Sequence, residues 1–185
     1  MRIAPLVLAV VASLYVAAPR AQTGEPAVPY VPQPRVYLSA SDPFQAELPD
    51  SFLYMTEAEF APGRRIHMFQ ELSEDGRTVF LETVTGLSAE ERAAYVDPVA
   101  QSRGMNDFVS TDVPVSALPL SEGLTASARS ASIHVRTGVG PKDVAVAVYG
   151  CDPSRCYTLT VGGPGTEAEE AMQYVPLLSG VAFTD

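Results

Sequence analysis

The chain has 185 residues, 12 basic and 22 acidic, for a formal charge of −10, with two cysteines, two histidines and no tryptophan. That balance argues against binding a phosphate backbone, which needs Lys and Arg to displace counterions, and against docking on anionic lipid. The length suits one domain with a sizeable core.

In chain order, Met1-Arg2 followed by the apolar run Ile3–Ala18 reads as a secretory signal peptide, residues 1–21, cleaved after Ala18 or Ala21. No cysteine lies near the cleavage region, which argues against a lipoprotein anchor. Without residues 1–21 the chain keeps 10 basic and 22 acidic side chains, a formal −12. Arg outnumbers Lys eleven to one, a bacterial GC-rich bias, so the expected location is the periplasm, reached across the inner membrane. Residues 22–42, punctuated by Pro26, Pro29, Pro32 and Pro34, are expected to be an extended linker, and residues 43–185 one α+β domain.

Phe44–Pro49 alternates, Phe52–Met55 is a second apolar run, and Ala61-Pro62-Gly63 breaks the chain. Arg65–Leu72 and Thr78–Thr85 are strand candidates across Asp75-Gly76, a type I′ hairpin signal that would place Ile66, Met68, Leu72, Val79 and Leu81 on one face. Ser88-Ala89-Glu90-Glu91 is a capping box. Its helix meets Asp97-Pro98, where it kinks or restarts, and Ala93, Val96, Val99 and Ala100 form the expected apolar stripe up to Gly104. Phe108–Val115 and Leu124–Arg136 follow as strand candidates. A second capping box at Thr166–Glu169 opens a terminal helix expected to bury Ala168, Ala171, Met172 and Val175, and Val181–Phe183 adds a short strand or a tail.

The best-specified element is Val144–Val161. Cys151 and Cys156 flank a four-residue turn, Asp152-Pro153-Ser154-Arg155, and are expected to form a disulfide rather than a redox pair, which favours a Cys-x-x-Cys spacing at a helix start. Pairing outward from them sets Gly150 against Tyr157, Val148 against Leu159 and Val146 against Val161. Side chains alternate faces, so Val144, Val146, Val148, Tyr157, Leu159 and Val161 share one side. A staple over so short a loop contributes about 2 kcal/mol and requires an oxidising compartment.

The fold class that follows is α+β, a twisted antiparallel sheet packed by two main helices. Chemistry-bearing residues are few. His67 and His134 each sit mid-strand, and no HExxH or Cys/His cluster supports zinc, so no metal and no cofactor is expected. Gly86–Glu90 lacks the second glycine of a nucleophile elbow, and Gly138–Lys142 does not match a P-loop. Gly162–Gly165 offers an anion nest or simply a strand reversal. Glu57, Glu59, Glu71, Glu74 and Asp75 form an acidic set without calcium-loop spacing.

In element order the domain resembles the PsbP-like superfamily: Phe44-Gln45-Ala46-Glu47-Leu48-Pro49, the Asp75-Gly76 hairpin, the helix from Ser88, the Tyr149/Tyr157 hairpin and the close through Leu177-Leu178-Ser179. The prolines in both helices depart from the pattern. The resemblance implies a non-enzymatic accessory role and supplies no catalytic residue. The expected function is a secreted accessory domain that binds a protein partner at the cell envelope. The alternatives are a small hydrolase or metal-dependent enzyme using His67 and His134, and a carrier of a small apolar ligand. Bringing the two histidines together beside a carboxylate would favour the enzyme.

Overall fold

In the computed structural model Val146 pairs with Val161, Val148 with Leu159, Gly150 with Tyr157 and Cys151 with Cys156, the register expected from the cysteines. The cysteines form a disulfide with a Cα–Cα separation of 4.0 Å. Val144, Val146, Val148, Tyr157, Leu159 and Val161 are all essentially inaccessible to solvent. The structure describes residues 34–39, 41–73, 76–102 and 107–184. The expected signal peptide and most of the expected linker lie outside them, as do Glu74, Asp75 and Gly104.

The strands are β1 (Arg35–Leu38), β2 (Phe44–Leu48), β3 (Phe52–Ala61), β4 (Arg64–Glu71), β5 (Thr78–Thr85), β6 (Phe108–Asp112), β7 (Ala128–Arg136), β8 (Asp143–Cys151), β9 (Arg155–Pro164) and β10 (Val181–Phe183). The helices are α1 (Ala89–Tyr95), α2 (Pro98–Ser102) and α3 (Glu122–Ser127), with 3₁₀ turns at Val115–Ala117, Ala168–Gln173 and Val175–Gly180. A seven-stranded sheet runs β3-β4-β5-β9-β8-β7-β6, and a three-stranded sheet runs β1-β2-β10. Every pairing is antiparallel. The fold is α+β in that coarse sense.

The core lies between the inner face of the large sheet and a second layer. That layer is the small sheet (Phe44, Ala46, Leu48, Val181) and the C-terminal 3₁₀ turns (Ala171, Tyr174, Leu178). The outer face carries α1, whose Tyr95 packs with Val84 and Cys156. Ser88 and Glu91 cap α1 reciprocally, Glu91 N–H to Ser88 Oγ at 3.3 Å and Ser88 N–H to Glu91 Oε2 at 2.8 Å. The helix ends at Tyr95 and restarts at Pro98, where Asp97 Oδ1 accepts the Val99 N–H at 2.9 Å.

Several expectations are corrected. Arg35–Leu38, inside the expected linker, is a strand because Tyr37 turns inward, donating its hydroxyl to Phe52 O at 2.5 Å and packing on Phe69. The β4–β5 register pairs Phe69 with Val79 and His67 with Leu81, so His67 and Phe69 are buried while Leu72 is exposed. The cause is Glu71: it turns inward and is bound by Arg77 Nε at 2.5 Å and Ser51 Oγ at 2.9 Å, which closes a longer loop than a two-residue turn. That ion pair holds the Glu71 carboxyl at about 2, well below its ordinary value.

The expected stripe on the mid-chain helix is replaced by one large anchor. Val99 is exposed and Tyr95 buried, because the break at Pro98 ends the first helix after two turns. The terminal helix is two 3₁₀ pieces rather than one α-helix: Ala171 and Val175 are buried as expected, together with Tyr174, Leu177 and Leu178, but Met172 is exposed. Its entry amides at Thr166 and Glu167 are held by Glu170 rather than Glu169.

Because Leu159 is fully buried between the layers, Leu159→Ala is expected to cost about 2–5 kcal/mol in urea unfolding. A loss under ~0.5 kcal/mol would show that this face is not the core.

Candidate functional site

Adjacent strands put paired residues on one face, so His67, Leu81, Leu159, Val148 and Ala131 form one row across the inner side. His134 lies on the other side, with Ala145 and Ala147 of β8. Three strands separate β4 from β7, about 19 Å at the usual strand spacing. The two histidines therefore do not combine, and an enzyme built on both is not what the geometry supports.

His67 is fully buried and spends both ring nitrogens inside the fold. Nε2 meets Asp42 Oδ2 at 2.7 Å and Nδ1 meets the Tyr54 hydroxyl at 3.1 Å. Thr83 Oγ1 donates to the same Asp42 oxygen at 3.1 Å, and the Phe44 ring stands edge-on to the imidazole at 4.5 Å. Tyr54 donates to Glu57 Oε2 at 3.1 Å; partial burial and then that carboxylate push its hydroxyl pKa up. Asp42 lines a polar cleft of about 270 Å³ with Arg65, Thr83 and Arg155. The sealed imidazole can orient Asp42 but cannot touch a molecule in that cleft. Its evident work is to clip the β1–β2 connection to the large sheet.

His134 stands on the outer face, 4 % exposed, between two hydroxyls: Ser110 Oγ at 2.7 Å from Nδ1 and Tyr149 Oη at 2.9 Å from Nε2. Burial lowers the His134 pKa and pushes the Tyr149 hydroxyl up to about 12. A neutral imidazole between hydroxyls has no carboxylate to stabilise an imidazolium, which a serine hydrolase requires of its base. The group is suited to hydrogen bonding rather than proton abstraction.

Beside it the outer face sinks into an apolar trough of about 300 Å³, floored by Ala145 and Ala147 and walled by Phe80 and Phe108. Gln101 of α2 closes one side and is tied to Tyr95 O by its Nε2 at 2.8 Å. At one end Glu82 takes Arg64 Nε at 2.6 Å and the Tyr95 hydroxyl at 3.1 Å, and Thr158 Oγ1 donates to Tyr95 Oη at 2.9 Å. Burial, then the Glu82 charge, raise the Tyr95 pKa. Helix α1 is held in place by Arg92, which donates to Asp152 O at 2.6 Å and Pro153 O at 3.0 Å in the disulfide turn.

The remaining sequence candidates have structural roles. Ser88 is a helix cap. Lys142 reaches the carbonyls of Thr137 and Gly138. Gly162 and Gly163 lie in β9, where an added Cβ would collide with Val144 O and the Tyr174 ring, and the amides after them bind Glu170. Glu59 pairs with Arg65 at 3.7 Å. Among the described residues, no three His, Cys, Asp or Glu side chains converge as metal ligands. The sequence named both histidines but missed Asp42, Tyr54, Ser110, Tyr149 and Glu82. Ser110 sits directly opposite His134, so a correct β6–β7 register would have found it.

No protein-family model and no curated protein matches the chain. Solved structures match at the level of fold. The Saccharomyces cerevisiae Ran-binding protein Mog1p has a TM-score of 0.49 and 8% identity, over 84% of this chain and 97% of that one. Cyanobacterial PsbP (CyanoP) from Synechocystis has 0.45 and 11%, over 86% and 98%. A Bacteroides thetaiotaomicron protein has 0.44 and 11%, and this chain spans about half its length, 49%. These likenesses concern fold and give no residue a role.

Burial holds His134 neutral in the folded chain, whereas the unfolded chain takes up a proton near pH 6.5. Below that pH the unfolded state binds more protons, so folding stability falls with pH until the folded-state pKa is reached. Urea unfolding of wild type and His134→Gln between pH 7.5 and 4.5 is expected to show a shallower acid loss in the variant. Parallel losses would assign the acid sensitivity elsewhere.

Proposed function

We propose that this chain is a secreted, non-catalytic accessory domain that works at the cell envelope by binding another protein. One observation carries the reading. β1 is an edge strand with β2 its only partner among the described residues, and it turns Val36 and Leu38 outward, 58% and 72% exposed. Exposed branched side chains on an open strand edge fit addition of a strand from a partner, whose backbone supplies affinity and whose side chains meet Val36 and Leu38. The neighbouring edge, β3, is interrupted by register shifts at Tyr54/Thr56 and Glu59/Ala61, which leaves β1 the more regular template. Tyr37 joins the two edges, its ring 6.2 Å from that of Tyr54. Export is supported by the apolar N-terminal run and by the disulfide, which needs an oxidising compartment.

Tagged protein lacking residues 1–21 is expected to recover one protein from envelope extract reproducibly, and Leu38→Glu to reduce that recovery roughly tenfold with an unchanged melting curve. Repeated recovery of nothing, or equal recovery by the variant, would overturn the reading.

A further inference from the structure

The two faces of β8 and β9 are filled very differently. The inner face carries Val144, Val146, Val148, Leu159 and Val161, all fully buried. The outer face of the same strands carries Ala145, Ala147, Thr158 and Thr160, between the large rings of Phe80 and Phe108. Small residues in the middle of a sheet face and aromatic residues at its sides leave a hollow, and among the described residues of α2 Gln101 lines it. We propose that this trough is a binding site for a small, uncharged, bicyclic aromatic molecule bearing an N–H or O–H donor.

Size comes first. An apolar cavity of about 150 Å³ takes a single benzene ring, and the trough has about 300 Å³. Shape comes next: the sheet floor is flat and the phenylalanine walls offer edge and face contacts, which a planar ring system satisfies best. Charge then narrows the chemistry. No Lys or Arg lines the trough among the described residues, and the one charged lining group is the Glu82 carboxylate. A carboxylate has about four acceptor positions; Arg64 Nε and the Tyr95 hydroxyl use two of Glu82's. An anion would be stripped of water here with no cation among the described lining residues to receive it, whereas Glu82 still accepts from a donor. Arg64, bound to Glu82, offsets the carboxylate charge, so the ligand needs no positive charge.

Indole is the probe, because it is a neutral bicycle with one N–H and the protein has no tryptophan to obscure its emission. Titration of the protein with indole, excited beyond the tyrosine band, is expected to show saturable blue-shifted emission with a dissociation constant below about 1 mM. Backbone amide shifts in the ¹⁵N spectrum are expected to cluster at Ala145, Ala147 and Thr160. Ala145→Leu fills the trough from a half-buried position outside the core and is expected to weaken binding at least ~10-fold, and Thr160→Leu gives an independent readout should Ala145→Leu melt early. Indole-3-acetate is expected to bind at least ~10-fold more weakly than indole. Absence of saturation, amide shifts elsewhere, binding unchanged in both variants, or equal affinity for the acetate would each overturn the assignment. None of these readouts involves the β1 edge, so this site and the protein-binding surface stand or fall separately.

Discussion

The pairing of Val148 with Leu159 fixes which side of the central strands is core, and the rest of the structure depends on that choice. A one-residue slip of β9 against β8 would exchange the two faces of one strand and bring Thr158 and Thr160 into the interior. The disulfide at Cys151–Cys156 closes the end of the ladder and removes that freedom where a turn would otherwise tolerate it. Register then propagates outward through Leu81 on β5 and Ala131 on β7. The second layer docks only because the inner face is continuous across all of these strands.

The same constraint separates the two histidines. His67 falls on the inner face, where a polar ring survives burial only with both nitrogens satisfied, and Asp42 and Tyr54 supply the partners. His134 falls on the outer face, against hydroxyls, and borders the trough. Two residues with the same chemistry thus acquire different work: one fastens the β1–β2 connection, the other sits in the wall of a hollow. His67 has a carboxylate and a hydroxyl on its two nitrogens but is sealed from solvent, and His134 meets two hydroxyls and no carboxylate.

The central hairpin was legible in the sequence because two cysteines and a strict alternation specify the same register independently. The β4–β5 hairpin was not. Asp75-Gly76 is a strong local turn signal, but the preference of Glu71 for Arg77 and the burial of Phe69 against Val79 outweigh it. The tail misled for a related reason. One continuous helical period predicts Met172 inward with Ala171 and Val175, whereas the tail is two 3₁₀ pieces meeting at Tyr174, which bury Ala171 and Val175 and leave Met172 out. Site partners were hidden by distance along the chain: Asp42 and His67 are 25 residues apart and Ser110 and His134 are 24. No local pattern links such pairs; only the strand order does.

One irregularity in β3 connects the buried clip to the exposed edges. Tyr54 pairs with Phe69 but Thr56 pairs with Met68, so Met55 is an extra residue in the strand. Before it the even-numbered residues Phe52 and Tyr54 share the face of Phe69; after it the odd-numbered Glu57 pairs with His67. Regular alternation would put Tyr54 and Glu57 on opposite faces. The bulge changes the parity between them, and so lets Tyr54 bond both His67 and Glu57. It also turns Met55 out, 52% exposed, and bends the edge of the large sheet away from regular pairing. A single inserted residue therefore completes the hydrogen-bond chain that fastens the β1–β2 connection. The same residue breaks the regular ladder of the β3 edge, whereas β1 pairs with β2 without a register shift.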